Sequence, residues 1–426
     1  MELRTMQALL RFGLGRRGTE PPPGDPAAGL GNQVRAPAPN APAQSLAEAL
    51  AALRADREEK PAPGKSRSRA LFVRDAEAHV AAALTTEAPF RERLVWFWAN
   101  HFTVSVRRGQ CAALIGPFVA GAIRPHVTGR FHDMLLAVMR HPAMLLYLDN
   151  AASVGPGSLV GRRTGRGLNE NLARECLELH TVSPAAGYTQ EDVTSLARVL
   201  TGWSIDLKGE PPGFRFRPGA HEPGVKTLMG QSFPEGEEGG AAALAFLATH
   251  PATHRHLATR LARHFVADDP PPDAVRAVEG ALRDTQGDLG AAAEAVTRIE
   301  AAWRPATKLR APCDYLIASL RALDVAEPPP AALGALRLLG QPLWAAPQPD
   351  GWPDRAADWA TPEAMMRRVD VAYAIAGKAG ALDSDALAEA ALGPLLRPAT
   401  AQAMRRAGSR REALALLFAS PEFQRR

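Results

Sequence analysis

The chain has 426 residues, 46% of them hydrophobic and 6% aromatic, with a formal net charge of +5. That length points to two or three packed units in one or two domains. The charge excess is too small to argue for a nucleic-acid partner, no apolar run reaches the roughly 18 residues of a membrane span, and three distant cysteines without a CxxC pair (Cys111, Cys176, Cys313) support neither a zinc knuckle nor a disulfide framework.

In chain order, the first segment (1–42) opens with a short amphipathic helix placing Met6, Leu9, Leu10 and Phe12 near one face. It has no secretory h-region, which points to a cytoplasmic location. The Pro/Ala/Gly stretch from Gly18 to Ala43 lacks the residues to build a core and reads as a linker or surface-draped arm. A second segment (43–235) begins where Ser45 caps a helix that stops at Pro61-Ala62-Pro63-Gly64. Helices are predicted over 66–85 and 90–101, then two or three short ones over 114–149, with Leu135, Leu136, Val138 and Met139 on a buried side. Asn150 to Leu168 reads as a Gly/Ser/Arg loop. Two helices, 169–182 and 189–203, form an antiparallel pair at the centre, the second capped by Thr189 with Asp192 three residues on. Trp203 closes the pair. A small β-hairpin is expected within 210–235, where FRFRP alternates. The third segment (236–426) carries about eight helices, broken at 270–272, 328–330 and 340–354. The fold class is mainly α: a multi-helix globular array with long Pro/Gly-rich loops.

The helix at 169–182 carries the most chemistry. Leu168, Leu172, Cys176 and Leu179 form one stripe, and Asn171, Glu175 and Glu178 form the stripe beside it. Glu170 and Arg174 pair at i, i+4 on the far side. His180 lies near the helix C-terminus, where the dipole favours a protonated imidazole. Two half-buried carboxylates one turn apart repel unless a cation, a metal or a shared proton lies between them. Either the pair serves chemistry, or an arginine from another helix satisfies it.

Asn100 and His101 follow the aromatic run Trp96-Phe97-Trp98 and are placed to project into a pocket, or to cap the helix. His141 reads as a helix-start residue and Asp149-Asn150 as a turn. His221 and Lys226 flank the hairpin turn and border a site or stabilise the turn. GRRTGRG (161–167), ahead of a helix N-terminus, is a weak anion candidate. His254 and His256 are separated by about 200° on a helix and do not chelate together. HExxH, GxSxG, GxxxxGK[ST] and a Rossmann GxGxxG are absent.

NENLARECLELHTVSPAAGYTQEDVTSLARVLTGW (169–203) resembles the signature of the bacterial family called domain of unknown function 1800. RLVWFWANHFTVS (93–105), HPAMLLYLDN (141–150), HEPGVKTLMGQ (221–231), GQPLWAAPQPDGW (340–352) and SPEFQRR (420–426) agree, so the resemblance covers nearly the whole chain. It implies a largely helical protein, often encoded beside a phosphatase/sulfatase-like protein and in many members exported. This chain departs in lacking a visible signal peptide, in Cys176 where Leu is usual, and in Ser183-Pro184 where a Gly-containing turn is usual.

The residues admit three readings of function. One is an enzyme, a hydrolase or lyase on a saccharide-like or anionic substrate. Glu175, Glu178 and His101 are then catalytic, converging in one concave site, and Asn100, Asn171, Arg174, His180, His221 and Lys226 bind substrate. Another is a non-enzymatic assembly or maturation partner of the phosphatase/sulfatase-like protein. The third binds a divalent metal through Glu and His ligands, although Glu-x-x-Glu lacks the Glu-x-x-His spacing of di-iron bundles.

Overall fold

The computed structural model describes residues 1–18, 20–21, 24–37, 45–62, 64–379 and 382–426. Among these are 22 α-helices and two antiparallel two-stranded ribbons, so the fold is mainly α as expected. The predicted caps form. Ser45 and Glu48 make a reciprocal capping box ahead of Leu46–Glu59, and Thr189 and Asp192 do the same ahead of Gln190–Val199. His141 caps Pro142–Tyr147, its Nδ1 accepting from the Ala143 amide.

The region of the expected hairpin holds two ribbons. Trp203–Asp206 pairs with Gly213–Phe216, and Lys226–Leu228 pairs with Gln231–Phe233. Trp203 therefore starts a strand; it does not close a helix pair. The stretch expected as a bare arm contains the Pro26–Arg35 helix, although residues 19, 22–23 and 38–43 of that stretch lie outside the described residues. Asp25 caps that helix, Leu30 and Val34 are buried in the core, and Gln33 Oε1 accepts from the Phe90 amide at 2.8 Å. Alternating apolar residues were too sparse to signal a helix, yet two of them fill space against the Pro89–His101 helix. Inside the expected 150–168 loop lies another short helix, Leu159–Thr164, capped by Ser158. From Glu237 onward there are eleven α-helices among the described residues, more than the eight expected.

Buried apolar side chains gather into two clusters. The first draws from Ala8 through Trp303 and so runs across 235/236. The second joins Leu14 and one face of the Arg67–Thr85 helix (Ala76, Val80, Ala83) to helices between Cys313 and Phe423. Between them lies a buried ionic joint. Arg93 holds Asp314 with two bonds, at 2.8 and 3.2 Å, and Arg426 Nε reaches the same carboxylate at 2.9 Å. Arg93 Nε also donates to Gly13 O at 2.7 Å, and Arg426 donates to Arg11 O and His264 O. Burial pushes the Asp314 carboxyl up, but Arg93 and Arg426 outweigh it and hold the group well below the usual carboxylate range.

Removing one partner from a buried pair leaves an uncompensated charge, so Asp314→Asn should cost about 3–5 kcal/mol at neutral pH. The folded pKa is depressed, so the stabilisation is complete above the unfolded value of about 3.9 and is lost as pH falls below it. Urea unfolding should show a constant gap between wild type and variant above about pH 5 that narrows below about pH 4. A gap under about 1 kcal/mol at pH 7 would refute the joint.

Candidate functional site

The glutamate helix is α-helical over Asn171–Glu175 and continues as a π turn over Cys176–His180. Thr181 Oγ1 donates to Cys176 O at 2.7 Å and the Ser183 amide to Leu177 O at 2.8 Å, closing the wide turn. The extra residue of a π turn shifts the helical phase. Leu177 and His180 are buried and Leu179 is left half-exposed, so the stripe read from a regular helix holds only as far as Cys176.

Glu175 and Glu178 are half-buried, and among the described residues neither accepts a hydrogen bond or forms an ion pair. The arginine expected as the alternative partner is absent from them. Arg174 turns to Glu170 (3.0 Å) and Gln190 (3.1 Å), with Thr194 completing that tie at the outer side of the pair. Burial, then Glu178, raises the pKa of Glu175; Arg174 opposes this, and Asp350 adds to it. Asn171 is half-buried, its amide donating to Asn169 Oδ1 at 2.9 Å. Among the described residues no three His, Cys, Asp or Glu side chains are grouped to hold a metal ion, so the two glutamates have no third ligand set beside them.

His101 and His180 do meet. His101 Nε2 donates to His180 O at 3.2 Å, and the rings lie 6.0 Å apart. His256 Nε2 donates to Leu179 O at 3.0 Å, with its ring 6.1 Å from His101. Two imidazoles thus take up carbonyls that the end of the helix leaves unpaired. Burial lowers the pKa of His180 to about 3 and of His256 to about 4, and burial followed by the nearby Arg260 puts His101 well below the ordinary value. Desolvation thus opposes at His180 the protonation that the helix dipole favours. No hydrogen bond joins His101 to Glu175 or Glu178 among the described residues.

His221 and Lys226 form a knot under the second ribbon. His221 Nδ1 donates to Thr201 O at 2.8 Å, and its Nε2 accepts from Lys226 Nζ and the Gly236 amide, both at 3.0 Å. Every ring nitrogen and the ammonium are engaged inside that knot.

Asn100 is also fully engaged, and it leads to the cavity. Its Nδ2 donates to Trp352 O at 2.9 Å while its Oδ1 accepts from the Trp352 amide at 2.8 Å. Gly351 approaches so closely, with φ +82°, that a Cβ there would lie 2.4 Å from Asn100 O. Ser105 Oγ donates to Ala346 O and the Val106 amide to Trp344 O, both at 2.8 Å. The WANHFTVS and PLWAAPQPDGW segments are thereby zipped together. Between them, the Pro251–Phe265 helix and the start of Pro312–Ala322 lies a cavity of ≈ 460 Å³.

The cavity combines aromatic walls with charge. His79 is stacked 4.5 Å from Trp96 and lies 4.9 Å from Trp344, whose backbone is left-handed at φ 51°. Burial lowers His79 to about 4, so it is a neutral ring. Asp354 Oδ2 accepts from His264 Nδ1 at 3.1 Å, and the buried Lys308 Nζ donates to Asp354 O and Asp268. Burial opposes ionisation of Asp354, but His264 and then Lys308 hold it well below the usual range, while His264 itself is lowered to about 4 by burial. Arg260 lines the same space with no hydrogen bond or ion pair among the described residues. Burial, partly offset by Asp354, lowers its pKa. Arg260, His264, Asp354 and Trp344 were not singled out from the sequence. The PLWAAPQPDGWPD segment was the only signal toward them, and nothing local ties it to residue 260.

The chain belongs to the family described as Protein of unknown function (DUF1800), which it matches over residues 7–425. No curated protein and no solved structure matches it.

The buried histidines carry a pH prediction. A depressed imidazole pKa means stability complete above about 6.5 and lost as pH falls, because the unfolded chain takes up the proton first. One group held near 3 costs about 2 kcal/mol at pH 5. His180→Asn should therefore be less acid-sensitive than wild type, by about that amount between pH 7.5 and 5 in urea unfolding. Parallel losses in both proteins would show that His180 titrates normally.

Proposed function

We propose that this member of the DUF1800 family acts on an anionic small molecule held in the cavity, as a hydrolase or lyase, with Glu175 as the acid at its edge. The observation that carries the reading is Arg260. Its guanidinium is only partly covered and has Asp354 and Asp350 near it, but no carboxylate bonds it among the described residues, so an anionic group on a ligand can pair with it directly. Asp350 lines the cavity and is electrostatically coupled both to Arg260 and to Glu175, which supports placing the glutamates beside the same space. Environments that push carboxyl pKa values apart suit acid/base work: Glu175 is raised by burial and Glu178, while Asp354 stays ionised between His264 and Lys308. In this reading Asn100 holds the loop, and His101 and His180 support the end of the glutamate helix.

A second reading, assembly with a phosphatase/sulfatase-like partner, is favoured by one feature. Met366, Val369 and Tyr373 are exposed on the Pro362–Lys378 helix at i, i+3 and i+7. Co-purification with such a partner that Val369→Asp abolishes would favour it.

The primary test is calorimetric binding of a panel of carboxylate, phosphate and sulfate compounds. Arg260→Met should weaken whichever anions bind by at least about tenfold, some 1.4 kcal/mol. Glu175→Gln should keep binding and lose turnover, with a melting temperature unchanged or raised because a repulsion is removed. Anion binding indifferent to Arg260→Met would overturn the reading.

A further inference from the structure

We infer that the anionic group on Arg260 belongs to a hydroxylated ring: the ligand is an acidic sugar. This rests on the reading of Arg260 as the anion site, and it adds what the rest of the cavity asks of the ligand. First, a space of ≈ 460 Å³ is far larger than an inorganic anion needs and falls in the range of small-molecule sites. Second, the wall is aromatic and held in place. Trp96, His79 and Trp344 are layered against one another, and the Trp344 carbonyl is fixed by the Val106 amide. Trp96 and Trp344 keep part of their surface open, and all three rings line the cavity. Such a wall suits the C–H face of a pyranose or a flat ring, and gives a compact polar ion nothing to pack against.

Third, the cavity's solvent-exposed rim offers acceptors to a ligand. The carboxylates of Asp350 and Asp358 line it without a hydrogen bond or ion pair among the described residues. A carboxylate accepts only, so a ligand that displaces water from them must bring O–H or N–H groups in its place. An aromatic acid satisfies Arg260 and the wall but brings no donors. A neutral sugar satisfies the wall and the aspartates but leaves Arg260 unpaired. A free amino acid supplies an anion and donors but no ring. A uronic or sulfated pyranose supplies all three.

The test titrates the full chain calorimetrically with D-glucuronate, D-galacturonate and N-acetylglucosamine 6-sulfate, against benzoate, D-glucose and L-aspartate. At least one acidic sugar should bind tenfold or more tighter than each of the three controls. Trp344→Leu should weaken that sugar at least tenfold, with Trp344→Phe retaining most of the affinity. The phenylalanine variant, checked by circular dichroism, separates loss of the wall from loss of the fold. Asp350→Asn should weaken the sugar and leave benzoate unchanged. Benzoate or L-aspartate binding as tightly as the sugars, and still lost in Arg260→Met, would overturn the acidic sugar while leaving the anion site standing. Glucose binding as tightly as the acidic sugars, or no ligand responding to Arg260→Met, would overturn both.

Discussion

The carboxylate of Asp314 is the one charge on which the rest of the architecture is hung. It sits on the first turn of Pro312–Ala322 and binds an arginine from the Pro89–His101 helix and another from residue 426. Through Arg93 it reaches Gly13, and through Arg426 it reaches Arg11 and His264. Both apolar clusters and the floor of the cavity therefore depend on one ion cluster. The remaining buried guanidiniums are served mostly by peptide carbonyls. Arg11 donates to Phe265, Val266 and Arg304, and Arg321 to Gly15, Ala83 and Leu84. Carbonyls satisfy hydrogen-bond geometry without cancelling charge. Around the cavity the arginines lie among Asp314, Asp350, Asp354 and Asp358, and Arg260 is the lining arginine with no hydrogen bond or ion pair among the described residues.

The same pattern explains the unusual fate of the titratable groups. Where a carboxylate meets arginine, lysine or an imidazole N–H, as at Asp314 and Asp354, ionisation is held on. Where no cation is near enough to pair, as at Glu175, the proton is retained to higher pH. At histidines 79, 180, 256 and 264 burial lowers the pKa, nearby arginines add to it, and Glu92 at His79 and Asp354 at His264 oppose it without outweighing it. Two kinds of carboxylate in one region, one tied and one free, are a product of how the arginines are distributed.

What the sequence disclosed was local. Capping boxes at Ser45 and Thr189, the break at Pro61, and the apolar faces of 190–199 depend on neighbours within one or two turns, and each is where periodicity put it. The Pro26–Arg35 helix was missed because it rests on two buried apolar residues and a polar contact 57 residues away. Glu175 was placed beside an apolar stripe that holds as far as Cys176, Glu178 lies in the π turn where that stripe ends, and their freedom from arginine is settled by packing of distant segments. Asn100 shows the limit most clearly. Its residue type and its place after an aromatic run suggested a pocket, and a pocket is there. Its amide, though, is spent on the backbone of Trp352, 252 positions later, and the group that faces the space is Arg260.

The π turn at Cys176–His180 bears on how length changes in this chain are to be read. A π turn accommodates one residue beyond an α turn, and such turns behave as single-residue insertions that a helix has absorbed. Deleting one position between 176 and 180 would close the wide turn to an α turn and leave the residues after it on their present bearing. With the gap at 176 or 177, Glu178 would follow Glu175 by two residues, roughly 200° round the helix, while the imidazole of His180 would keep its place against the ring of Phe102, which it now meets at 5.1 Å. A relative one residue shorter ahead of Glu178 would thus keep its helix and lose the acidic pair, whereas one shorter after it would keep both, so where an alignment gap falls within this single turn matters more than percentage identity.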